Sequence, residues 1–378
     1  MLIQVLQLFL IKYSMIMINN WTNKDLIKLS ILRNFKSAQY RKIVERFDDF
    51  NSFSESEVFG QIFQNIFLEN LNQLEDLAEI QLQKLQEHNS RLISIWDDDY
   101  PDLLKKTSSP PSLLYVKGKL YNDKQAIAIV GTRKSTGYGK LTTERFSEFF
   151  VANNIIVVSG LAYGIDTISH LATVKAGGVT YAVIPSSIDT ISPFASQKNA
   201  EKIVEGGGAI ISEYRFGVQA ILASFPQRNR IIAGISLATI VIECGIKSGA
   251  LITAKIAASE SREVFAVPGN ISSTKSEGTN KLIKDNLAII ALSPESVMED
   301  LGLTRLIKER NFEDHGIKFD DPQEEILYNI LNFEPIHIDN LADKSEMDFS
   351  SVSGKLLMLE FKGLVKQIPG KYYLRTHI

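Results

Sequence analysis

The segment Ala126-Ile-Ala-Ile-Val-Gly-Thr-Arg-Lys-Ser-Thr-Gly-Tyr-Gly139 sets the architecture. Its first five residues, Ala126–Val130, are all apolar. A strand with no polar face is buried on both sides, which is the habit of a parallel sheet. Gly131 ends the run, and helical spacing follows over 142–151. Downstream, apolar runs recur at 155–158, 179–184, 209–211, 238–242, 264–267 and 288–291. Helical stretches at 165–176, 197–204, 249–259 and 278–286 separate most of them. Strands alternating with helices predict an α/β fold whose parallel sheet is covered on both faces. Ligands of such sheets sit beyond the carboxyl ends of the strands, so the loops that follow strands are the informative ones.

Upstream, residues 19–90 read as a helical domain. Thr22-Asn23-Lys24-Asp25 has the form of a helix start, and Leu26, Ile27, Leu29 and Leu32 follow at helical spacing. Residues 1–18 form an N-terminal extension: a surface helix, or a reading frame that truly starts near Met15 or Met17. The parallel-sheet domain is expected over 91–291 and a polar linker over 292–320. Residues 321–378 read as three helices and a hairpin turning at Pro369-Gly370, a winged-helix pattern.

At 378 residues the chain suits two or three domains. Lys and Arg number 41 against 44 Asp and Glu, so no global basic excess marks a nucleic-acid binder. The charge is uneven, however: net −1 over 1–125, +4 over 126–291 and −6 over 292–378. Only the middle suits a polyanion. A single cysteine, Cys244, excludes an intrachain disulfide framework and a multi-cysteine zinc site, and fits a reducing cytoplasm. The apolar stretch 1–11 is far shorter than a membrane span and lacks signal-peptide features, so no membrane association is expected.

Four loops hold the candidate chemistry. The first, Gly131 to Gly139, carries Arg133. Glycines let backbone N–H groups approach an anion, and Arg133 offers a planar fork for a phosphate. The spacing is neither a Walker A loop nor G-x-G-x-x-G, and a tight turn with a solvated arginine is the competing reading. The second, Val158-Ser159-Gly160-Leu-Ala-Tyr-Gly164-Ile-Asp166, belongs beside the first in a parallel sheet, with Ser159 and Gly160 permitting close backbone approach. His170, one turn later, reads as a packed or solvated histidine rather than a catalytic one.

The third loop, Phe225-Pro-Gln-Arg228-Asn229-Arg230, joins an aromatic face for base stacking to arginines for phosphate. A core Phe225 and one arginine in a structural ion pair are the alternative. The fourth, Glu243-Cys-Gly-Ile-Lys247-Ser248-Gly249, opens another helix, where a phosphate gains backbone and side-chain donors. Glu243 is the one candidate carboxylate base, but it has no evident partner acid or activated nucleophile. Anion-friendly loops without a nucleophile–base pair favour phosphate binding over catalysis. No catalytic or metal-binding residue is assigned.

In this order the four loops resemble those of the DprA/Smf family (DNA-processing protein A). Asp99-Tyr-Pro101, Pro110-Pro-Ser-Leu-Leu-Tyr-Val116 and Val264-Phe-Ala-Val-Pro-Gly269 extend the resemblance, as does the winged-helix end. It implies an extended Rossmann-like core with a helical (SAM-like) N-terminal domain and a C-terminal winged-helix domain. It also implies a cytoplasmic, homodimeric, non-enzymatic protein without a cofactor. Such a protein would bind single-stranded DNA, protect incoming strands and load the RecA recombinase in natural transformation. Carried over by position, the DNA-binding residues would be Gly131, Arg133, Ser159, Gly160, Phe225, Arg228, Asn229, Lys247, Ser248 and Gly249.

The chain departs from the family at 185–196, where Pro185-Ser-Ser-Ile-Asp189-Thr-Ile-Ser192-Pro193-Phe-Ala-Ser196 replaces a glycine-rich turn. Ser192 and Ser196 stand where the family has tyrosine and asparagine, so no DNA contact is expected from this loop. Residues 19–88 lack the glycine hairpin of a helix-hairpin-helix and are assigned no DNA role. A competing class is a nucleotide-processing Rossmann enzyme of the phosphoribohydrolase type. Those enzymes carry a Pro-Gly-Gly-x-Gly-Thr loop, which Pro268-Gly269-Asn270 does not complete. A winged-helix transcription regulator is a third class. Residues 321–378 hold 6 basic and 9 acidic side chains, a balance that opposes phosphate binding and suits protein docking.

Overall fold

The computed structural model describes residues 20–32, 37–62, 70–303, 319, 321–332 and 335–375. The extension 1–18 and most of the expected linker 292–320, namely 304–318 and 320, lie outside them. Nine strands form one sheet: β1 (Ser90–Ser94), β2 (Leu113–Gly118), β3 (Ala126–Val130), β4 (Ile156–Ser159), β5 (Thr180–Val183), β6 (Ala209–Ser212), β7 (Ala238–Val241), β8 (Glu263–Ala266) and β9 (Ile289–Ile290). Their order is β1-β2-β6-β5-β4-β3-β7-β8-β9. Pairing is parallel from β6 through β9, and the antiparallel β1–β2 pair joins antiparallel through β2 and β6.

The alternation along β3 explains why it carries no polar residue. Ala126, Ala128 and Val130 enter one hydrophobic cluster, while Ile127 and Ile129 enter another on the opposite face. Successive strand side chains point to opposite faces, so a strand covered on both sides must be apolar throughout. Helices Ser224–Ile235 and Gly249–Ser259 cover the first face through Ile231, Ile232, Ala254 and Ala257. Helix Gly137–Ala152 covers the second through Phe146 and Phe150.

One boundary differs from expectation. The segment from 292, expected as linker, begins with helix Pro294–Asp300, whose Val297 and Met298 are fully buried in the second cluster. A capping box between Ser293 and Ser296 starts it. Its polar residues Glu295, Glu299 and Asp300 lie off the buried face of this short amphipathic helix. The N-terminal helices, started as expected by Thr22 and Asp25, share one hydrophobic cluster with Leu92, Leu113, Tyr115 and Phe216 of the sheet region. Gln81 closes this seam, accepting from Phe216 N at 2.9 Å, and Lys84 pairs with Asp189 at 3.2 Å.

Residues 321–375 form the winged helix: helices Pro322–Ile330, Ile338–Ser345 and Phe349–Phe361 with strands β10 (Ile336–His337), β11 (Val365–Ile368) and β12 (Tyr372–Arg375). Its core gathers Leu327, Leu341, Val352, Leu356 and Leu359.

Candidate functional site

The chain runs from β3 through β4 and β5 to β6 on one side, then returns so that β7 pairs with the other side of β3. The loops after β3, β4 and β7 therefore diverge around one crevice, the position where doubly wound sheets bind ligands. A cleft of about 480 Å³ occupies it. Of the residues singled out by sequence, Gly131, Arg133, Phe225, Arg228, Asn229, Lys247, Ser248 and Gly249 line this cleft. Ser159 and Gly160 do not.

Glu243 fixes the loop after β3. It is 2% exposed, and its carboxylate accepts from the Thr136 hydroxyl at 2.5 Å and the Thr136 N–H at 3.0 Å. The Thr136 hydroxyl in turn caps helix Gly137–Ala152 by accepting from Gly139 N. A Cβ on Gly139 would fall 2.2 Å from Glu243 Oε2, so only glycine lets the carboxylate sit there. With both oxygens engaged, Glu243 is a structural pin, as the lack of a partner acid suggested.

Ser159 and Gly160 belong to the floor beneath the cleft, a correction to their expected place in it. Ser159 is fully buried, and its hydroxyl donates to Ile129 O at 2.7 Å, tying β4 to β3. Gly160 donates its N–H to Asp166 at 3.1 Å and accepts from Arg228 Nη1 at 2.6 Å. A Cβ there would lie 2.7 Å from the guanidinium carbon. The glycine makes room for an arginine of the protein itself.

The third segment is a helix, Ser224–Ile235, where a loop was expected. Pro226 lies in its first turn, where a missing N–H costs nothing, so the proline is compatible with the helix. The helix turns Arg228 inward, leaving it 4% exposed. Arg228 Nη1 also donates to Val183 O, and Nε donates to Asn229 Oδ1 at 3.1 Å. It thus clamps the carboxyl ends of β4 and β5 while presenting one edge to the cleft. Burial lowers its pKa to about 10, countered by neighbouring Asp166, so it stays cationic at neutral pH. Burial pushes the Asp166 carboxyl above the usual carboxylate range, countered by Arg228. Arg230 turns outward to Glu213 and donates to Ser109 O at 2.6 Å. Both arginines of the segment therefore make structural contacts.

The accessible cations come from elsewhere. Arg133 is exposed and lies over the Phe225 ring, 5.6 Å from its centroid. Lys247 is exposed just before helix Gly249–Ser259, whose N-cap Ser248 accepts from Ala250 N. Lys275, in the loop after β8, also reaches the cleft and was missed from sequence. Its position after a strand was the available signal. Among the described residues none of Arg133, Lys247 and Lys275 forms an ion pair. The cleft is cationic, aromatic on one wall, and open to the N-terminus of a helix. That combination suits phosphate and a stacked ring.

His170 lies below, fully buried, with Nδ1 2.7 Å from the Thr180 hydroxyl. The Thr180 proton goes to Val157 O, so Nδ1 is the donor. Burial lowers the His170 pKa to about 3, which makes it a neutral packed histidine.

Residues 91–302 match the family model for DNA recombination-mediator protein A, and residues 318–371 match the DprA winged helix domain. The chain belongs to the DprA/Smf family. Protein Smf of Escherichia coli is 35% identical over 298 residues, 76% of this chain and 78% of that protein. DNA processing protein DprA of Streptococcus pneumoniae is 38% identical over 207 residues, 54% of this chain and 73% of that protein. The S. pneumoniae DprA structure aligns with a TM-score of 0.58 at 31% identity, covering 74% of this chain and 98% of that one. A Helicobacter pylori DNA processing protein A, solved to describe its single-stranded DNA binding mode, aligns with a TM-score of 0.51 at 27% identity. That match covers 56% of this chain and 95% of the other. The family's α/β core, helical N-terminal region and winged helix are all present here. Among the described residues no helix is long and apolar enough to cross a membrane, and no group of three or more His, Cys, Asp or Glu could hold a metal.

Proposed function

We propose that this DprA/Smf protein binds single-stranded DNA in the cleft at the β3 switch point and does so without catalysis. The observation that carries the reading is the convergence of Arg133, Lys247 and Lys275 with the Phe225 ring at a helix N-terminus. Cations neutralise backbone phosphates, and an aromatic face stacks a base only when that base is unpaired. The H. pylori relative's described single-stranded DNA binding agrees with this. The engagement of both Glu243 oxygens by Thr136 counts against a hydrolase of the phosphoribohydrolase type.

In this reading the protein is a cytoplasmic homodimer that protects incoming strands and loads RecA during transformation. The core over 91–291 makes the DNA contact, and the winged helix serves protein docking. Two clefts on one strand act as a single stronger site, because the second contact is intramolecular. Fluorescence anisotropy with single- and double-stranded oligonucleotides across a salt series tests the first part. Equal affinity for both at matched salt would overturn it. Light scattering tests the dimer, whose mass should be about twice 42.3 kDa.

A further inference from the structure

Phe194 is 83% exposed and Tyr163 52% exposed. A single exposed ring is ordinary; these two are set apart by where their loops are fastened. Tyr163 follows Ala162, which lines the cleft, and precedes Gly164. At Gly164, with φ of +79°, a Cβ would fall 2.2 Å from Thr132 O and 2.6 Å from the Arg133 carbonyl carbon. The Tyr163 loop therefore lies backbone against backbone on the loop that carries Arg133. Phe194 opens the short turn Phe194–Ser196 after β5, and the Ser196 hydroxyl donates to Leu161 O at 3.2 Å. Arg133, Tyr163 and Phe194 thus stand on three successive loops, tied in the order β3, β4, β5. Lys198, four residues beyond Phe194, is exposed and forms no ion pair among the described residues. On the opposite flank, in the loops after β7 and β8, the large apolar side chains exposed among the described residues are Ile246 and Ile271, which offer no ring to stack on.

We infer that the bound strand leaves the cleft toward β5 and stacks further unpaired bases on Tyr163 and Phe194, with Lys198 meeting the backbone. The loop at 185–196, from which the departures from the family pattern predict no DNA contact, then contributes through Phe194. This rests on the cleft binding single-stranded DNA. Adjacent strands lie about 4.8 Å apart, so the β3-to-β5 span is about 10 Å, reachable within a few nucleotides.

The test compares oligothymidylates of ~5 and ~20 nucleotides, since single-strand sites cover about 4–16. The double variant Tyr163→Leu/Phe194→Leu should bind the longer strand about tenfold more weakly and the shorter one like the parent. Tyr163→Phe/Phe194→Tyr, which keeps both rings, should bind both like the parent. Phe225→Leu should weaken both lengths. Unchanged affinity of the leucine double variant for the longer strand overturns the second station. An equal loss on both lengths also overturns it, by placing the rings within the first site. A parent protein that binds neither strand overturns the cleft reading itself, and the second station with it.

Discussion

Arg133 and Phe225 face each other across the cleft mouth, guanidinium carbon to ring centroid 5.6 Å. One comes from the loop after β3 and the other from the helix that precedes β7. The ring holds the cation in place without neutralising it, as a carboxylate would. A phosphate can therefore meet a positioned guanidinium whose charge is unspent. Arg133→Ala should weaken single-strand binding by about 1–2 kcal/mol and flatten the plot of log affinity against log salt by ~0.7. Salt titrations of parent and variant check both; an unchanged slope would show that Arg133 meets no phosphate.

The other arginine of the site should behave differently. Arg228 is buried and holds Gly160 O, Val183 O and Asn229 Oδ1. Removing it strands two carbonyls and the Asp166 carboxyl. Arg228→Ala should cost roughly 3 kcal/mol of folding stability, and Arg228→Lys should not restore it, because an ammonium lacks the planar fork. Arg133→Ala should leave stability within about 0.5 kcal/mol. Urea unfolding of the three variants separates the two arginines.

Gly139→Ala reverses the usual sign of a helix substitution. Alanine for glycine within a helix ordinarily stabilises by about 0.5–1 kcal/mol. Here the new Cβ would fall 2.2 Å from Glu243 Oε2, whose carboxylate is buried and held by Thr136. The variant should lose about 1–3 kcal/mol, measured by chemical unfolding. A more stable variant would mean that Glu243 is free to move.

His170 supplies a pH dependence. Its folded pKa lies near 3, below the ordinary value of 6.5. The unfolded chain then takes up a proton that the folded one refuses. The associated stability is complete above pH 6.5 and is lost as pH falls from 6.5 toward 3. Within that window the parent should lose stability faster than His170→Gln, by up to about 1.4 kcal/mol per pH unit. Parallel slopes for the two proteins between pH 6 and pH 4 would count against a neutral buried imidazole.

Deleting residues 321–378 should leave single-strand affinity within about threefold of the parent. The lysine within the third helix of that unit and the one at its C-terminal end are both occupied: Lys355 pairs with Asp321, and Lys362 pairs with Glu324 at 2.7 Å. Its exposed side chains include Phe349, Leu357, Met358 and Phe361, which offer nothing to a phosphate. Anisotropy on the truncated protein decides; a large loss in a folded truncation would assign the winged helix a DNA contact.

What the sequence determined alone is what depends on neighbours along the chain. The short unbroken apolar run of β3, ended by Gly131, reads as a strand buried on both faces, and the Thr22–Asp25 cap marks the start of the first N-terminal helix. The loops after strands could be named in advance because parallel strands share one direction, so every loop of that kind emerges at the same edge. Tertiary structure alone decided the orientation of the residues in those loops. On paper Ser159 and Arg228 look like ligand contacts and Glu243 like a carboxylate base, yet each is engaged within the fold by partners 30, 68 and 107 residues away. Lys275 joins the cleft because β8 pairs with β7, a pairing that no local spacing encodes. Buried polar groups must find hydrogen-bond partners wherever the fold supplies them, and sheet order settles which distant segment that is.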